Sequence, residues 1–181
     1  MAYDEKQVIE MLRAVRHDFL NHIQLLKANA SLKRLDRIEG ILDSLTEQAK
    51  NEAKLSNLNV PKTALFLIGY NWVPKPFQLK VKIDGPHADW SNVDEPLYMM
   101  LNGVFSAIEK ACDLGGNNVL NVTIFTDRLT PKVSFQFSGS FRDPQGLARQ
   151  LDELHQTGIT VKQYIQKEDP VITVELTDLL R

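Results

Sequence analysis

Within two helical turns, Arg16-His17-Asp18-Phe19-Leu20-Asn21-His22 combines an imidazole, a carboxylate, a guanidinium and an amide. A neutral imidazole is a good nucleophile near pH 7, and an exposed one can be reached by another protein's active site. On a helix, residues three, four and seven apart share a face, so Arg13, Leu20, Asn21 and Gln24 surround His17. Arg13 or Arg16 could pair with an arriving phosphoryl group, and Asn21 could hydrogen-bond it. Asp18 could orient the ring or act as a base, but at about 100° per residue it leans away from His17's face. His17 and His22 are five apart, not the four that sets two metal ligands on one helical face. A single exposed histidine among charges is also, and most often, a plain solvated surface residue. Residue types alone leave both readings open.

That face exists only if the stretch is helical. Val8, Leu12, Val15, Phe19, Ile23, Leu26 and Ala30 recur at spacings of three and four, predicting one helix from about residue 4 to residue 34. His17 then lies about 150° from the centre of this apolar stripe and faces solvent. Ile38, Leu42, Leu45, Ala49, Ala53 and Leu55 form a second stripe, and Asp36 with Glu39 predicts its capped start. The short connection makes the two helices antiparallel neighbours. Alone, each would bury its stripe against only one partner. Pairing two hairpins into a four-helix bundle solves this, so residues 4–56 are expected to form a homodimer; packing on the rest of the chain is the alternative.

Asn57-Leu58-Asn59-Val60-Pro61 ends the pattern and divides the chain into a helical hairpin, 1–58, and a second domain, 59–181. Pro61 opens a helix running to about Tyr70. Phe77–Ile83 alternates as a half-buried strand, and Val93–Leu114 reads as a long apolar helix ended by Gly115-Gly116. Val119–Thr126 and Lys132–Ser138 read as a hairpin turning through Asp127–Pro131. Pro144–His155 reads as a helix, and Ile159–Gln166 with Val171–Leu176 as a closing hairpin. The fold class is α+β: a hairpin followed by an α/β sandwich.

Composition narrows the function classes. Hydrophobic residues make up 43% of the 181, an ordinary globular share. A net charge of -2 gives no drive toward nucleic acid or anionic lipid, so neither is expected as a partner. One cysteine, Cys112, excludes an internal disulfide and zinc sites built on paired cysteines. The first twelve residues lack the make-up of a signal peptide, and no apolar run is long enough to span a bilayer. A cytoplasmic protein without a metal of its own is expected.

Arg-His-Asp-Phe-Leu-Asn-His-Ile-Gln, from Arg16 to Gln24, resembles the phosphoacceptor box of sensor histidine kinases of the variant that reads RHD, an aromatic or apolar residue, any residue, then N. Continuing through Leu25-Leu26-Lys27, Ser31-Leu32 and Lys54-Leu55-Ser56-Asn57-Leu58, the chain is similar to the sporulation initiation phosphotransferase B family of the bacillus phosphorelay. The first sixty residues carry nearly all of the specific match. The resemblance implies a dimeric four-helix bundle displaying His17 as phosphoacceptor, with Arg13, Arg16, Asp18, Asn21 and Gln24 in support. It implies transfer from the aspartate of one response regulator to that of a second, sporulation-type regulator. It also implies that the carboxylate nucleophiles and the Mg2+ belong to those partners.

The second domain then corresponds to a degenerate histidine-kinase-ATPase-like sandwich. Leu101–Lys110 resembles the kinase box with two asparagines four apart, but Ser106 stands where the second should follow Asn102. The glycine-rich DxGxG box is missing; Phe137-Ser138-Gly139-Ser140-Phe141 is its nearest remnant, without the aspartate. Without these groups a triphosphate–magnesium complex loses its main partners, and no nucleotide is expected to bind. Two alternatives remain: a sensor-kinase-like enzyme that autophosphorylates from ATP, and a non-catalytic adaptor that sequesters a regulator.

Overall fold

The computed structural model describes residues 5–127, 132–155, 159–164 and 171–176, with side chains described up to Leu154, Gln7 excepted. The chain divides into two compact units: Met1–Lys50 with Trp72–Pro74, and Asn51–Asn71 with Lys75–Arg181.

The first unit is a helical hairpin. Helix α1 spans Glu5–Ser31 and α2 starts at Leu35, ending at Ser56. The sequence pattern runs α1 on to residue 34, but a Schellman turn stops it earlier. Arg34 N donates to Asn29 O, Lys33 N donates to Ala30 O, and Lys33 takes the left-handed conformation at φ 54°. Because α2 begins at Leu35, Asp36 is not the capping residue expected. It lies in the first turn, where its charge complements the helix dipole.

The second unit is an α/β sandwich. In chain order it holds α3 (Pro61–Gly69), β1 (Gln78–Asp84), α4 (Asp94–Ala111), β2 (Val119–Phe125), β3 (Lys132–Ser138), α5 (Pro144–His155), β4 (Ile159–Tyr164) and β5 (Val171–Leu176). One sheet runs β1-β2-β3-β5-β4. β1 and β2 are parallel, joined through α4, and every other pair is antiparallel. These elements agree with the sequence reading to within one to three residues at most ends. The turn from residue 128 and the strand positions 165–166 lie outside the described residues.

Alternation in the strands builds the core. Leu79 and Ile83, then Leu120, Val122 and Ile124, then Val133, Phe135 and Phe137 are buried on one sheet face. α4 lies over them with Leu97, Met100, Leu101, Val104, Phe105 and Ile108 inward. Phe105 meets Phe135 edge-on, with ring centroids 6.3 Å apart. Trp90 is also core. α5 adds Leu147 and Leu151, and its Leu154 sits against Gly103 of α4, where a Cβ would collide with it.

Two long-range devices hold this unit's perimeter. Val60 gives α3 no side-chain cap; instead the Asp94 carboxylate accepts from Lys62 N and Thr63 N, each at 2.9 Å. Replacing Asp94 with Ala leaves both N–H groups without that acceptor. A cost of about 1–2 kcal/mol is expected, read as a lower urea midpoint at unchanged slope. The second device guards the free edge of β1. The Asn71 amide pairs with both Leu79 N, at 2.9 Å, and Leu79 O, at 2.8 Å. Asn51 Oδ1 accepts from Ile83 N at 3.0 Å, and Lys54 Nζ donates to Ile83 O at 3.3 Å. Side chains thus replace a missing neighbour strand at both ends of the edge. The end of α2 is fastened there too, with Leu55 and then Leu58 buried in the core.

Candidate functional site

The site is built on α1. Its helix puts His17 on the face opposite the apolar stripe, and the side chain is 75% exposed. Asn21 Nδ2 lies 3.2 Å from His17 Nδ1, one turn along. Asp18 Oδ1 lies 3.6 Å from the same nitrogen. This corrects the expectation that Asp18 leans away. Its Cα is about 100° round the helix, but both side chains turn toward the space between them. Both contacts fall on Nδ1 rather than Nε2. As placed, Asn21 Nδ2 can only donate, to an unprotonated Nδ1; the tautomer with the proton on Nδ1, which the Asp18 carboxylate favours, needs a half-turn of the Asn21 amide to present its oxygen instead.

The guanidinium expected to await an anion is engaged elsewhere. Arg13 Nη1 donates to Glu10 Oε1 at 2.6 Å, one turn further from His17. Arg16 and Gln24 are exposed. Leu20, on the flank of this face, is also exposed. His22 is half-buried toward α2, as its position near the stripe predicts. Glu10 is the residue that residue-type reasoning passed over. Its three-residue spacing from Arg13 was the available signal.

Behind the site, α1 and α2 pack incompletely. Val8, Leu12, Val15, Phe19 and Ile23 remain exposed, from 37% at Ile23 to 64% at Phe19. A cavity of about 740 Å³ opens between the helices, lined by His22, Leu25, Asn29, Arg37, Ile41 and Leu45 among others.

The second unit shows what fills the positions of the nucleotide boxes. Asn102 is exposed on α4 and Ser106 is half-buried. Phe137 stacks on Phe141 with centroids 4.4 Å apart. Gly139, at φ +154°, makes room for the buried Asn118 amide, which a Cβ there would strike. Asn118 Nδ2 donates to Pro76 O and Asp113 O, while Oδ1 finds no partner among the described residues. The glycine thus serves an internal close approach. Lys75 donates to Glu109 Oε1 at 2.9 Å, beside the Tyr70 hydroxyl that donates to the same oxygen. Burial, then that bond to Glu109, pushes the Tyr70 hydroxyl far above its ordinary range. Cys112 is buried, and burial pushes its thiol up, away from reactivity. His87 is exposed; the His155 side chain lies outside the described residues. Among the described residues, no group of three or more His, Cys, Asp or Glu is placed to hold a metal ion. None of their helices is long and apolar enough to cross a membrane.

Residues 1–58 match the family model described as the alpha-helical domain of the SpoOB-type sensor kinase. Residues 59–177 match the model for the C-terminal domain of sporulation initiation phospho-transferase B. The chain is 30% identical over 154 residues to the sporulation initiation phosphotransferase B of Bacillus subtilis (strain 168), covering 84% of this chain and 78% of that one. Among solved structures, it is similar to a bacterial phosphotransferase at 12% identity, over 97% of this chain and 98% of that chain, with TM-score 0.40. The Acinetobacter baumannii histidine kinase AdeS matches at 12% identity, over 89% of this chain and 97% of that chain, with TM-score 0.39.

Proposed function

The chain belongs to the sporulation initiation phosphotransferase B family, and on that premise we propose that it is a phosphorelay carrier whose phosphoryl group rides on His17. The donor is the aspartyl phosphate of one response regulator, and the acceptor is the aspartate of a second, sporulation-type regulator. ATP takes no part. The observation that carries the reading is a 75% exposed imidazole whose contacts, with Asn21 at 3.2 Å and Asp18 at 3.6 Å, fall on Nδ1 rather than Nε2.

The chemistry follows from that orientation. With the proton on Nδ1, the Nε2 lone pair attacks phosphorus in line; the P–O bond to the regulator's carboxylate breaks and an N–P bond forms. The ring gains positive charge, which the Asp18 carboxylate beside Nδ1 offsets. Both phosphoryl species are high in energy, so the step runs in either direction. Positioning supplies most of the rate, and the regulator's Mg2+ neutralises the moving charge. This chain contributes the nucleophile and its orientation. Replacing Asp18 with Asn removes the charge that orients the ring, and transfer is expected to slow by about one to two orders of magnitude. Rapid-quench transfer kinetics would detect it; an unchanged rate removes Asp18 from the mechanism.

Three features support the rest of the reading. The exposed apolar stripe of α1 favours a second copy of the hairpin as its cover, giving a four-helix bundle with His17 on its outside. Ser106 in place of the second box asparagine, and Gly139 packed against Asn118, favour a domain that has given up nucleotide. The deciding assay mixes purified protein with a phosphorylated single-domain regulator, beside a control given ATP–Mg2+ alone. Label reaching His17 from the regulator and not from ATP is expected. Label from ATP alone would make the protein a kinase; label from neither would make it an adaptor.

A further inference from the structure

Arg13 stands between a carboxylate and the candidate phosphoacceptor on one face of α1. Its guanidinium rests on Glu10, three residues before it, with both side chains more than half exposed. His17 lies four residues after it, also within an arginine's reach along a helix. We propose that Glu10 regulates the phosphoacceptor by holding the Arg13 guanidinium back, and that the guanidinium moves from this carboxylate to the phosphoryl oxygens once His17 is loaded. The inference deepens the carrier reading and rests on it.

The exchange makes and breaks no covalent bond. A phosphoryl group brings nearly two negative charges and three acceptor oxygens, against one charge and two oxygens on the carboxylate. The guanidinium therefore prefers the phosphoryl group when it is present. Both pairings are exposed to water, so the preference is small. Exposed ion pairs change equilibria by roughly 1.4- to 5-fold. A small preference suits a carrier. An arginine free to clamp the phosphoryl group would make His17 a better sink and a poorer donor. Competition from Glu10 keeps the loaded state close in energy to the regulators' aspartyl phosphates. The other charged groups near this face are Lys6, one turn before Glu10, with Arg16 and Asp18. Asp18 lies 3.6 Å from Nδ1, across the ring from Nε2.

The test is the equilibrium partition of label between a phosphorylated single-domain regulator with Mg2+ and the full chain. It compares wild type, Glu10→Gln, Arg13→Gln and the double variant, each checked for an unchanged circular dichroism spectrum. Glu10→Gln is expected to shift the partition toward His17 about two- to five-fold, and Arg13→Gln to shift it the other way. In the Arg13→Gln background the Glu10 effect should vanish, and raised salt should shrink it. An unchanged partition in Glu10→Gln, or an effect that persists without Arg13, overturns the inference while leaving the carrier reading intact. Wild type that takes no label from the regulator overturns both.

Discussion

Replacing His17 with Gln is expected to abolish phosphoryl acceptance, lowering transfer by at least about 1000-fold, the scale for losing a nucleophile. The same change should leave the fold alone. His17 is 75% exposed, glutamine is a good helix former, and surface substitutions of this kind move stability by about 0.5 kcal/mol or less. Loss of label with an unchanged unfolding curve would therefore report chemistry rather than folding. In the wild type the label should be acid-labile and base-stable, as a phosphoramidate is. The chain has three other histidines, His22, His87 and His155, so residual label in the variant would be mapped among them. His22 is half-buried toward α2 and offers a regulator little access. A variant that binds and signals normally while carrying nothing would mean the protein acts as an adaptor.

How much of this was legible beforehand depends on the range of the interaction. Helical periodicity is local, so α1, its exposed His17 face and the residues sharing it could be read from spacing. Strand alternation likewise gave β1, β2 and β3. Rotamer choice is not local in that sense: nothing in the pattern brings Asp18 to within 3.6 Å of Nδ1 rather than out to water. The Schellman stop at Lys33 was hidden because lysine is an unusual occupant of a left-handed position. Contacts across long stretches of chain were wholly out of reach. Asp94 capping α3 from thirty-two residues away, and Asn71 and Asn51 closing the edge of β1, follow from tertiary placement alone. So does strand order: β5, not β4, lies beside β3, because the closing hairpin folds back on itself.

The exposed stripe of α1 leads to the other large effect. If two hairpins form one bundle, Phe19→Asp is expected to convert the protein from dimer to monomer. Phe19 is 64% exposed, the most exposed member of a stripe that also includes Val8, Leu12, Val15 and Ile23. In a two-fold interface each substitution counts twice. Losing two phenylalanine side chains costs about 1.5–3 kcal/mol each, or roughly 10²- to 10⁴-fold in dissociation constant. Two buried carboxylates of like charge add a further desolvation penalty. Sedimentation velocity would show the change directly, and ring signals from the second unit, whose aromatic core is separate, should be unaltered. The variant also links assembly to chemistry. The cavity between α1 and α2 marks a hairpin whose helices are incompletely packed, so a monomer should lose helix content and hold Asn21 and Asp18 less firmly against His17. Transfer should then fall along with dimerisation, although Phe19 points away from the phosphoacceptor face. A Phe19→Asp protein that stays dimeric would place the interface elsewhere. One that turns monomeric yet transfers at full rate would show that a single hairpin suffices to present His17.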